Sequence, residues 1–347
     1  MAFRSTRSVF ARFGGLLGGL SVLLLLGPAL VNLAVVTWEH ARHPVPGEFY
    51  EVDGARMHID CTGAGSPTVV LESAAGASYL LWRRVQPELS QVTRVCSYDR
   101  AGHGWSAARG EPRDAESVVH ELHSLLDQAG VPRPFLYVGH SAGGLYVREY
   151  AKEYPTELSG IALLEASSPR QIDELPGWRK GWEEDVVDRR RTLWKDKLRV
   201  WSGWERMVGS CRVAVSEQDQ AYAGQYRAMQ CRPGYVDADD SELPDFDTSS
   251  KQAAGLRDFG RIPLLIVSRD PSKDSAATPE KIAGTQVWQR EQEDVRKLSP
   301  LSWRIIAKGS GHMVPLDRPE LVVSQLSLLV NDVRSGAVAE AGTTSTR

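Results

Sequence analysis

The sequence is poor in the residues on which several common classes of protein depend. It has 347 residues but only four cysteines, too few for a small fold held together by disulfides. It contains no Cys-x-x-Cys motif and no cluster of histidine and cysteine with the spacing of zinc ligands. Its formal net charge is −3, so it lacks the basic excess typical of nucleic-acid-binding proteins. We therefore expect no nucleic-acid partner, no metal and no organic cofactor.

Charge is also missing from a long stretch near the amino terminus. Residues 13–38 contain no charged side chain, and about 20 apolar residues are enough to cross a bilayer as a helix. Arg4, Arg7 and Arg12 precede this stretch, and the positive-inside rule then keeps 1–12 in the cytoplasm and exports the rest. No small-residue cleavage site follows. We predict a transmembrane signal anchor at 13–38 and a domain on the periplasmic or extracytoplasmic side, with secretion after cleavage as the alternative.

Beyond residue 48, strand and helix patterns alternate along the chain. Runs such as Thr68–Leu71 and Phe135–Val138 are apolar on both faces, which is typical of parallel strands covered by helices. Between the strands, Tyr79–Leu89 and Asp114–Ala129 have helical spacing. We predict an α/β fold with a doubly wound, mostly parallel sheet. The core is assigned to 48–167 and 258–334, and 335–347 is expected to be a disordered tail.

Residues 168–257 interrupt this alternation and are predicted to form an inserted helical cap. They lack buried strand patterns and carry an apolar stripe at three- and four-residue steps, interrupted by Arg190 and made of Trp178, Trp182, Val186, Trp194, Leu198, Trp201 and Trp204. Such a stripe is either a helix face packed on the core or part of a lid whose aromatic side chains line a substrate pocket.

A serine motif follows the strand Phe135–Val138 directly. The segment Gly139-His140-Ser141-Ala142-Gly143 lies between this strand and the next predicted helix, which is the context of a nucleophile elbow. Small residues at 139 and 143 allow the sharp turn that exposes Ser141. A serine hydroxyl needs a base to become a nucleophile, so the sequence predicts a partner histidine.

Only one histidine, His312, lies downstream of Ser141, in a loop after the last predicted strand. In this architecture the order along the chain is serine, acid, histidine. Asp270 follows the penultimate strand and is our first assignment for the acid, with Glu165 and then Asp274 as alternatives. His103 precedes Ser141 and is expected to shape a turn.

The oxyanion of an acyl-transfer intermediate needs two aligned N–H donors. We assign one to the backbone of Ala142. The other is expected from the loop after Thr68–Leu71, where small residues allow a ligand to approach the backbone, and Ala74 is the residue chosen.

These motifs together resemble the α/β-hydrolase superfamily, in particular its esterase, lipase and peptidase-like members with a helical cap. The resemblance covers about 48–334 and rests on Gly139–Gly143, on Ser97–Ser106 and on Gly309–His312. It implies a cap inserted after the sixth strand. The His-Gly that is usual after the third strand is Glu72-Ser73 here.

The resemblance also bears on the cysteines. The strand order typical of this fold places the second strand beside the fourth, which makes Cys61 and Cys96 neighbours and leaves Cys211 and Cys231 to pair within the cap. Reduced cysteines in the core are the alternative.

The function expected from these residues is that of a membrane-anchored serine esterase. Ser141, His312 and an acid would hydrolyse a carboxylic ester through an acyl-enzyme, acting on a small or lipid-like substrate. An aminopeptidase or amidase using the same triad is one alternative, favoured if Glu183 or Glu184 faces the pocket. A binding protein of this fold that no longer turns over is another.

Overall fold

The computed structural model describes residues 26–110, 112–209, 215–230, 232, 242–274 and 278–336. Residues 26–42 form a helix. Among the described residues, no helix is both long and apolar enough to cross a bilayer. Residues 1–12, the first half of the predicted anchor, Cys211, Cys231 and most of the predicted tail lie outside the described residues. The transmembrane anchor at 13–38 stays a prediction.

The predicted α/β fold with a mostly parallel sheet is confirmed. Eight strands form one sheet in the order β1-β2-β4-β3-β5-β6-β7-β8, in which only β2 runs antiparallel to its neighbours. Their bounds are β1 Glu48–Val52, β2 Ala55–Thr62, β3 Val69–Glu72, β4 Val95–Tyr98, β5 Phe135–His140, β6 Leu158–Leu164, β7 Leu264–Arg269 and β8 Ser302–Ala307.

Helices cover both faces of the sheet, because the central strands are buried on both sides. Two separate groups of buried apolar side chains result, one on each face. The α-helices are Gln86–Leu89, Ala115–Gln128, Gly143–Glu153, Gln171–Glu174, Trp178–Trp201, Trp204–Met207, Ala223–Gln230, Glu242–Ala253, Pro279–Asp294, Val314–Asp317 and Pro319–Ser335. Short 3₁₀-helices cover Tyr79–Trp82, Pro155–Glu157, Glu217–Tyr222, Pro271–Asp274 and Val295–Leu298.

The single helix predicted over Tyr79–Leu89 is wrong. A 3₁₀-helix ends at Trp82, and a separate one-turn α-helix begins at Gln86 with Pro87 in its first turn. Proline has no N–H to donate to the preceding turn, so a continuous helix through this point would lose a hydrogen bond.

The predicted pairing of Cys61 with Cys96 is confirmed. The two residues lie opposite each other in the antiparallel β2–β4 pair and form a disulfide. This disulfide joins positions that are 35 residues apart in the sequence.

The chain divides into two compact units. The larger is formed by 46–189 with the described part of 238–347 and contains the whole sheet. The smaller is formed by the described residues of 1–45 and of 190–237. The boundary therefore falls inside the predicted cap, and within the long helix Trp178–Trp201.

The smaller unit has a polar connection between its first helix and its later ones. Arg206 forms two hydrogen bonds to the Glu39 carboxylate, both 3.0 Å long, and one of 2.8 Å to Asn32. The Asn32 amide in turn donates to the carbonyl of Val200 at 3.1 Å. Asn32 and Glu39 are buried, so this face of helix 26–42 packs against the unit.

Candidate active site

Ser141 lies at the sharp turn between β5 and the helix Gly143–Glu153. Its φ is +55°, a left-handed conformation that non-glycine residues adopt only where the surrounding structure holds them. A Cβ at Gly139 would come within 2.7 Å of the Gly143 carbonyl oxygen, and one at Gly143 within 2.9 Å of the Ser73 carbonyl oxygen. The two glycines are therefore required for the turn, as the sequence indicated.

The structure brings Ser141 and His312 together. His312 Nε2 lies 3.0 Å from Ser141 Oγ, although the residues are 171 positions apart. Both follow parallel strands, β5 and β8, whose carboxyl ends meet at one edge of the sheet. This distance is within hydrogen-bond range, so the imidazole can accept the hydroxyl proton.

Glu165, not Asp270, is the carboxylate placed beside His312. Glu165 Oε1 lies 3.8 Å from His312 Nδ1, and its side chain is completely buried. Glu165 follows β6 directly and has a φ of +46°. The Arg269 backbone N–H and guanidinium donate to its two oxygens at 2.8 and 3.1 Å. Glu165 is thus held in a fixed orientation behind the imidazole, with its charge compensated by Arg269.

The Asp270 carboxylate stabilises the loop that carries His312. Its two oxygens accept hydrogen bonds from the backbone N–H groups of Gly309 and Ser272, at 2.8 and 2.9 Å. The Gly309 bond, with those from Ser272, lowers the pKa of Asp270 to about 2. In the described part of the chain, its carboxylate forms no hydrogen bond or ion pair with the His312 ring. Asp274 was the third candidate acid, and its side chain is not described.

His140 also positions His312, a role that the sequence analysis missed. Its Nε2–H donates to the carbonyl oxygen of His312 at 2.8 Å. Burial lowers the pKa of His140 to about 3, so the ring stays neutral and keeps this donor. The only available signal was its place inside the elbow, which does not reveal a partner 172 positions away.

The loop after β3, from which the second oxyanion donor is expected, lies at the same cavity as Ser141. Ala75 lines the same cavity as Ser141, Ala142 and His312. Ala74 is buried, and its carbonyl oxygen accepts a hydrogen bond of 2.7 Å from Arg100. The assignment of the second donor to Ala74 stays a prediction, and Ala75 is the neighbouring candidate.

A buried polar cluster supports this loop from behind. Arg100 donates to the carbonyl oxygens of Ser73 and Ala74 and to the carboxylates of Glu72 and Glu242. These bonds use its Nε and both terminal nitrogens, so the guanidinium holds the loop in a fixed orientation. Glu72 replaces the usual histidine, and its other oxygen accepts from the hydroxyls of Tyr98 and Tyr137.

The charges of this cluster compensate one another. Burial raises the pKa of Glu242, but the charges of Arg100 and His103 outweigh this effect and hold the pKa well below its ordinary value. At Glu72, the effect of burial is larger than the effect of the Arg100 charge, so the pKa of the Glu72 carboxyl is raised. His103 lies 2.9 Å from Glu242 and its carbonyl closes a turn with Ser106, in agreement with the turn-shaping role expected for it.

The site opens into a cavity of about 900 Å³. Aromatic side chains form much of its wall, namely Trp178, Trp182, Phe246 and Trp288. Trp182 is fixed by a hydrogen bond of 2.8 Å to the carbonyl of Leu243. The first two tryptophans of the stripe therefore line a pocket, as the lid interpretation proposed. Within the described residues, no group of histidine, cysteine and acidic side chains could hold a metal ion.

Comparison with known proteins identifies the family. The sequence profile described as "Alpha/beta hydrolase family" matches residues 69–325. The chain belongs to this family. An AB hydrolase superfamily protein of Gibberella zeae is 34% identical to it over 297 residues, which cover 77% of this chain and 87% of the relative.

Other similar proteins are more distant. The 2-hydroxy-6-oxo-2,4-heptadienoate hydrolase of Pseudomonas putida is 27% identical over 235 residues, covering 65% of this chain and 79% of the relative. A thermophilic esterase from Thermogutta terrifontis superposes with a TM-score of 0.58 at 20% identity, covering 83% of this chain and 99% of the other. This last likeness shows the shared fold.

Proposed function

We propose that this alpha/beta hydrolase is a serine hydrolase that cleaves carboxylic esters, with Ser141, His312 and Glu165 as its catalytic triad. The observation that carries the proposal is the distance of 3.0 Å between Ser141 Oγ and His312 Nε2 at the wall of the cavity. A family whose members differ in chemistry does not fix the reaction, so the argument rests on this geometry.

In the proposed reaction, His312 Nε2 takes the hydroxyl proton while Ser141 Oγ attacks the ester carbonyl carbon. The N–H of Ala142 and one from the 72–76 loop stabilise the oxyanion. The intermediate collapses as His312 returns the proton to the leaving alcohol. Water, deprotonated by His312, then releases the acid and restores Ser141.

Glu165 stabilises the imidazolium that forms in both steps. Its distance of 3.8 Å from Nδ1 is longer than a hydrogen bond, and such contacts commonly shorten when substrate binds. Arg269 donates to both carboxylate oxygens and so fixes the orientation of the carboxylate.

The amidase alternative loses the two residues that were named for it. Glu183 and Glu184, which could have bound a substrate amine, are exposed and are not among the residues that line the cavity. The charged side chains at the cavity are Arg269, Lys273 and Lys281 with Glu280.

The test is labelling by a fluorophosphonate probe together with hydrolysis of p-nitrophenyl esters of increasing chain length. We expect the wild type to be labelled and active, and Ser141→Ala to be neither. A folded wild type that is not labelled would instead support the binding-protein alternative. Hydrolysis of aminoacyl amides in preference to every ester would overturn the choice of substrate.

We also propose that the hydrolase domain lies outside the cytoplasm, held by residues 13–38. The Cys61–Cys96 disulfide supports an oxidising compartment. Protease added to intact spheroplasts should digest the domain. Protection until the cells are lysed would contradict this location.

A further inference from the structure

The second half of the tryptophan stripe takes no part in the cavity. Trp194, Leu198 and Trp201 are 61%, 52% and 53% exposed. Their spacing of four and three residues places them on one face of the helix. The alternative expectation, a face packed on the core, is wrong for these three residues. An exposed face of this kind requires an explanation, because large apolar patches on soluble surfaces mark interaction sites.

The apolar surface continues past the end of this helix. Gly203 turns the chain with a φ of +76°, and Trp204 and Met207 in the next helix are 49% and 60% exposed. The opposite side of the same region is the packed one, since Val200 is buried and its carbonyl accepts from Asn32. The exposed apolar side chains therefore face away from the interior of the smaller unit, to which they belong.

Basic side chains flank the stripe. Between Arg190 and Trp201 the helix carries five lysines and arginines and a single acid, Asp196. Since successive residues are rotated by about 100° around a helix, Lys195 and Lys197 lie on opposite sides of the stripe. Lys195 also stacks on Trp194, with 5.7 Å between the ammonium and the ring centre.

A second element of the same unit exposes apolar residues. In helix 26–42, Leu30, Val31 and Leu33 are 66%, 61% and 59% exposed, while Asn32 between them is buried against the unit. Leu30, Val31 and Leu33 belong to the predicted anchor 13–38, so the exposed tryptophans of the later helices lie in the same unit as the segment expected to enter the bilayer. Tryptophan with flanking cations is the composition of segments that lie in the interface of a membrane.

We propose that the surface formed by Trp194, Leu198, Trp201, Trp204 and Met207 binds the interface of a bilayer that contains anionic phospholipids. Its tryptophans insert among the headgroups, and the flanking cations contact the lipid phosphates. Charge complementarity favours this partner over a second copy of the chain, because two copies joined through this face would bring their cationic borders together. The proposal is independent of the hydrolytic reaction.

The test uses the full-length protein reconstituted in vesicles of phosphatidylcholine, with or without phosphatidylglycerol. The measurement is the quenching of tryptophan fluorescence by brominated lipid in these vesicles. We expect quenching to be larger in the phosphatidylglycerol vesicles. The variant Trp194→Phe/Trp201→Phe/Trp204→Phe should lose most of this additional quenching. The matched control Trp178→Phe/Trp182→Phe removes two tryptophans from the other unit, and this variant should retain the additional quenching.

The charge requirement is tested by Arg190→Glu/Arg191→Glu/Lys195→Glu. Quenching of this variant should fall to the value in phosphatidylcholine alone, and high salt should reduce wild-type quenching in the same way. Circular dichroism and thermal unfolding verify that each variant is folded. Equal quenching in all variants and lipids would overturn the proposal. A wild-type dimer that dissociates in the tryptophan variant would also overturn it, because the face would then bind a second copy of the chain. Tryptophans that neither brominated lipid nor aqueous acrylamide quenches would overturn it as well, because the face would then be buried.

Discussion

At the scale of single residues, the placement of the acid depends on backbone geometry. Glu165 and Asp270 each stand directly after a parallel strand of the same sheet edge. Glu165 adopts a φ of +46° and is buried near His312. The Asp270 oxygens instead accept hydrogen bonds from the backbone N–H groups of Ser272 and Gly309. We therefore expect the two carboxylates to have different tasks, orientation of the imidazole for Glu165 and support of its loop for Asp270.

This difference can be measured by comparing Glu165→Gln with Asp270→Asn. We expect Glu165→Gln to lower kcat by about 10³-fold or more, because a neutral amide cannot stabilise the imidazolium. Asp270→Asn should retain most of kcat and lower thermal stability instead. Steady-state kinetics on one p-nitrophenyl ester and melting curves give both readouts. A larger kcat loss in Asp270→Asn would reverse the assignment.

The sequence predicts the contact between Ser141 and His312 better than the carboxylate that lies beside His312, for a physical reason. Ser141 is marked by the small residues that its turn requires, and His312 is the only histidine downstream of it. Which carboxylate lies beside the imidazole depends on the φ of Glu165 and on which backbone N–H groups already donate hydrogen bonds to each carboxylate. Arg100 and His140 escape prediction because their partners are distant in the sequence.

At the scale of elements, Arg100 connects β4 with the oxyanion loop and with the helix Glu242–Ala253. Arg100→Lys keeps the charge but loses the fork of donors that holds the Ser73 and Ala74 carbonyls. We expect kcat to fall by roughly 10- to 100-fold with little change in KM, since loss of one oxyanion donor costs about 10²–10³.

The matched control for that substitution is Arg113→Lys. Arg113 is also buried and also paired with a glutamate, Glu121, but it does not contact the oxyanion loop. Both variants should lose stability. If Arg113→Lys lowers kcat as much as Arg100→Lys, the effect of Arg100 is a general loss of stability and not support of the loop.

The disulfide between β2 and β4 closes a loop of 35 residues at one side of the sheet. Cross-linking of this length restricts the unfolded chain and stabilises a fold by about 3–4 kcal/mol. We expect Cys61→Ala/Cys96→Ala to lower the free energy of unfolding by about that amount. Urea titration of both proteins measures it, and an unchanged midpoint would show that the strand pairing alone determines stability here.

At the scale of the whole molecule, Glu291 makes stability depend on pH. Burial, with the nearby charge of Glu174, raises the pKa of Glu291 to about 7. A group whose pKa is raised on folding binds its proton more tightly in the folded state, so its contribution falls as pH rises from about 4.5 to above 7. Glu291→Gln should therefore stabilise the fold at pH 8 by on the order of 3 kcal/mol, and little at pH 4.

A suitable control lies two positions along the same helix. Burial raises the pKa of Glu293, but the hydrogen bonds and charges of Arg296 and Arg304 have a larger effect, and the pKa is lowered. The Glu293 side chain is half exposed. Glu293→Gln should not stabilise the protein at any pH. Unfolding titrations at pH 4, 6 and 8 compare the two variants. An effect of Glu291→Gln that is the same at all three pH values would contradict the role given to its ionisation.

The sheet could be predicted because its strands are apolar on both faces, and Phe135–His140 is an example that is buried throughout. The division into two units could not. The helix Trp178–Trp201 looks uniform in spacing, yet its first tryptophans line a cavity and its last ones are exposed. Spacing defines a face of a helix but not what covers that face.

The contact between Arg100 and Glu242 has a consequence for how such proteins can diverge. Glu242 begins the helix that ends the cap segment, and the same guanidinium that binds it also holds the oxyanion loop. A cap transplanted from another hydrolase would remove two of the hydrogen bonds of the buried Arg100 guanidinium and leave Glu72 as its carboxylate partner, unless the graft carried a carboxylate at this position. The cap helps to shape the substrate cavity, and the same Arg100 contact connects it to the oxyanion loop. A compatible exchange of the cap therefore has to preserve a carboxylate at position 242.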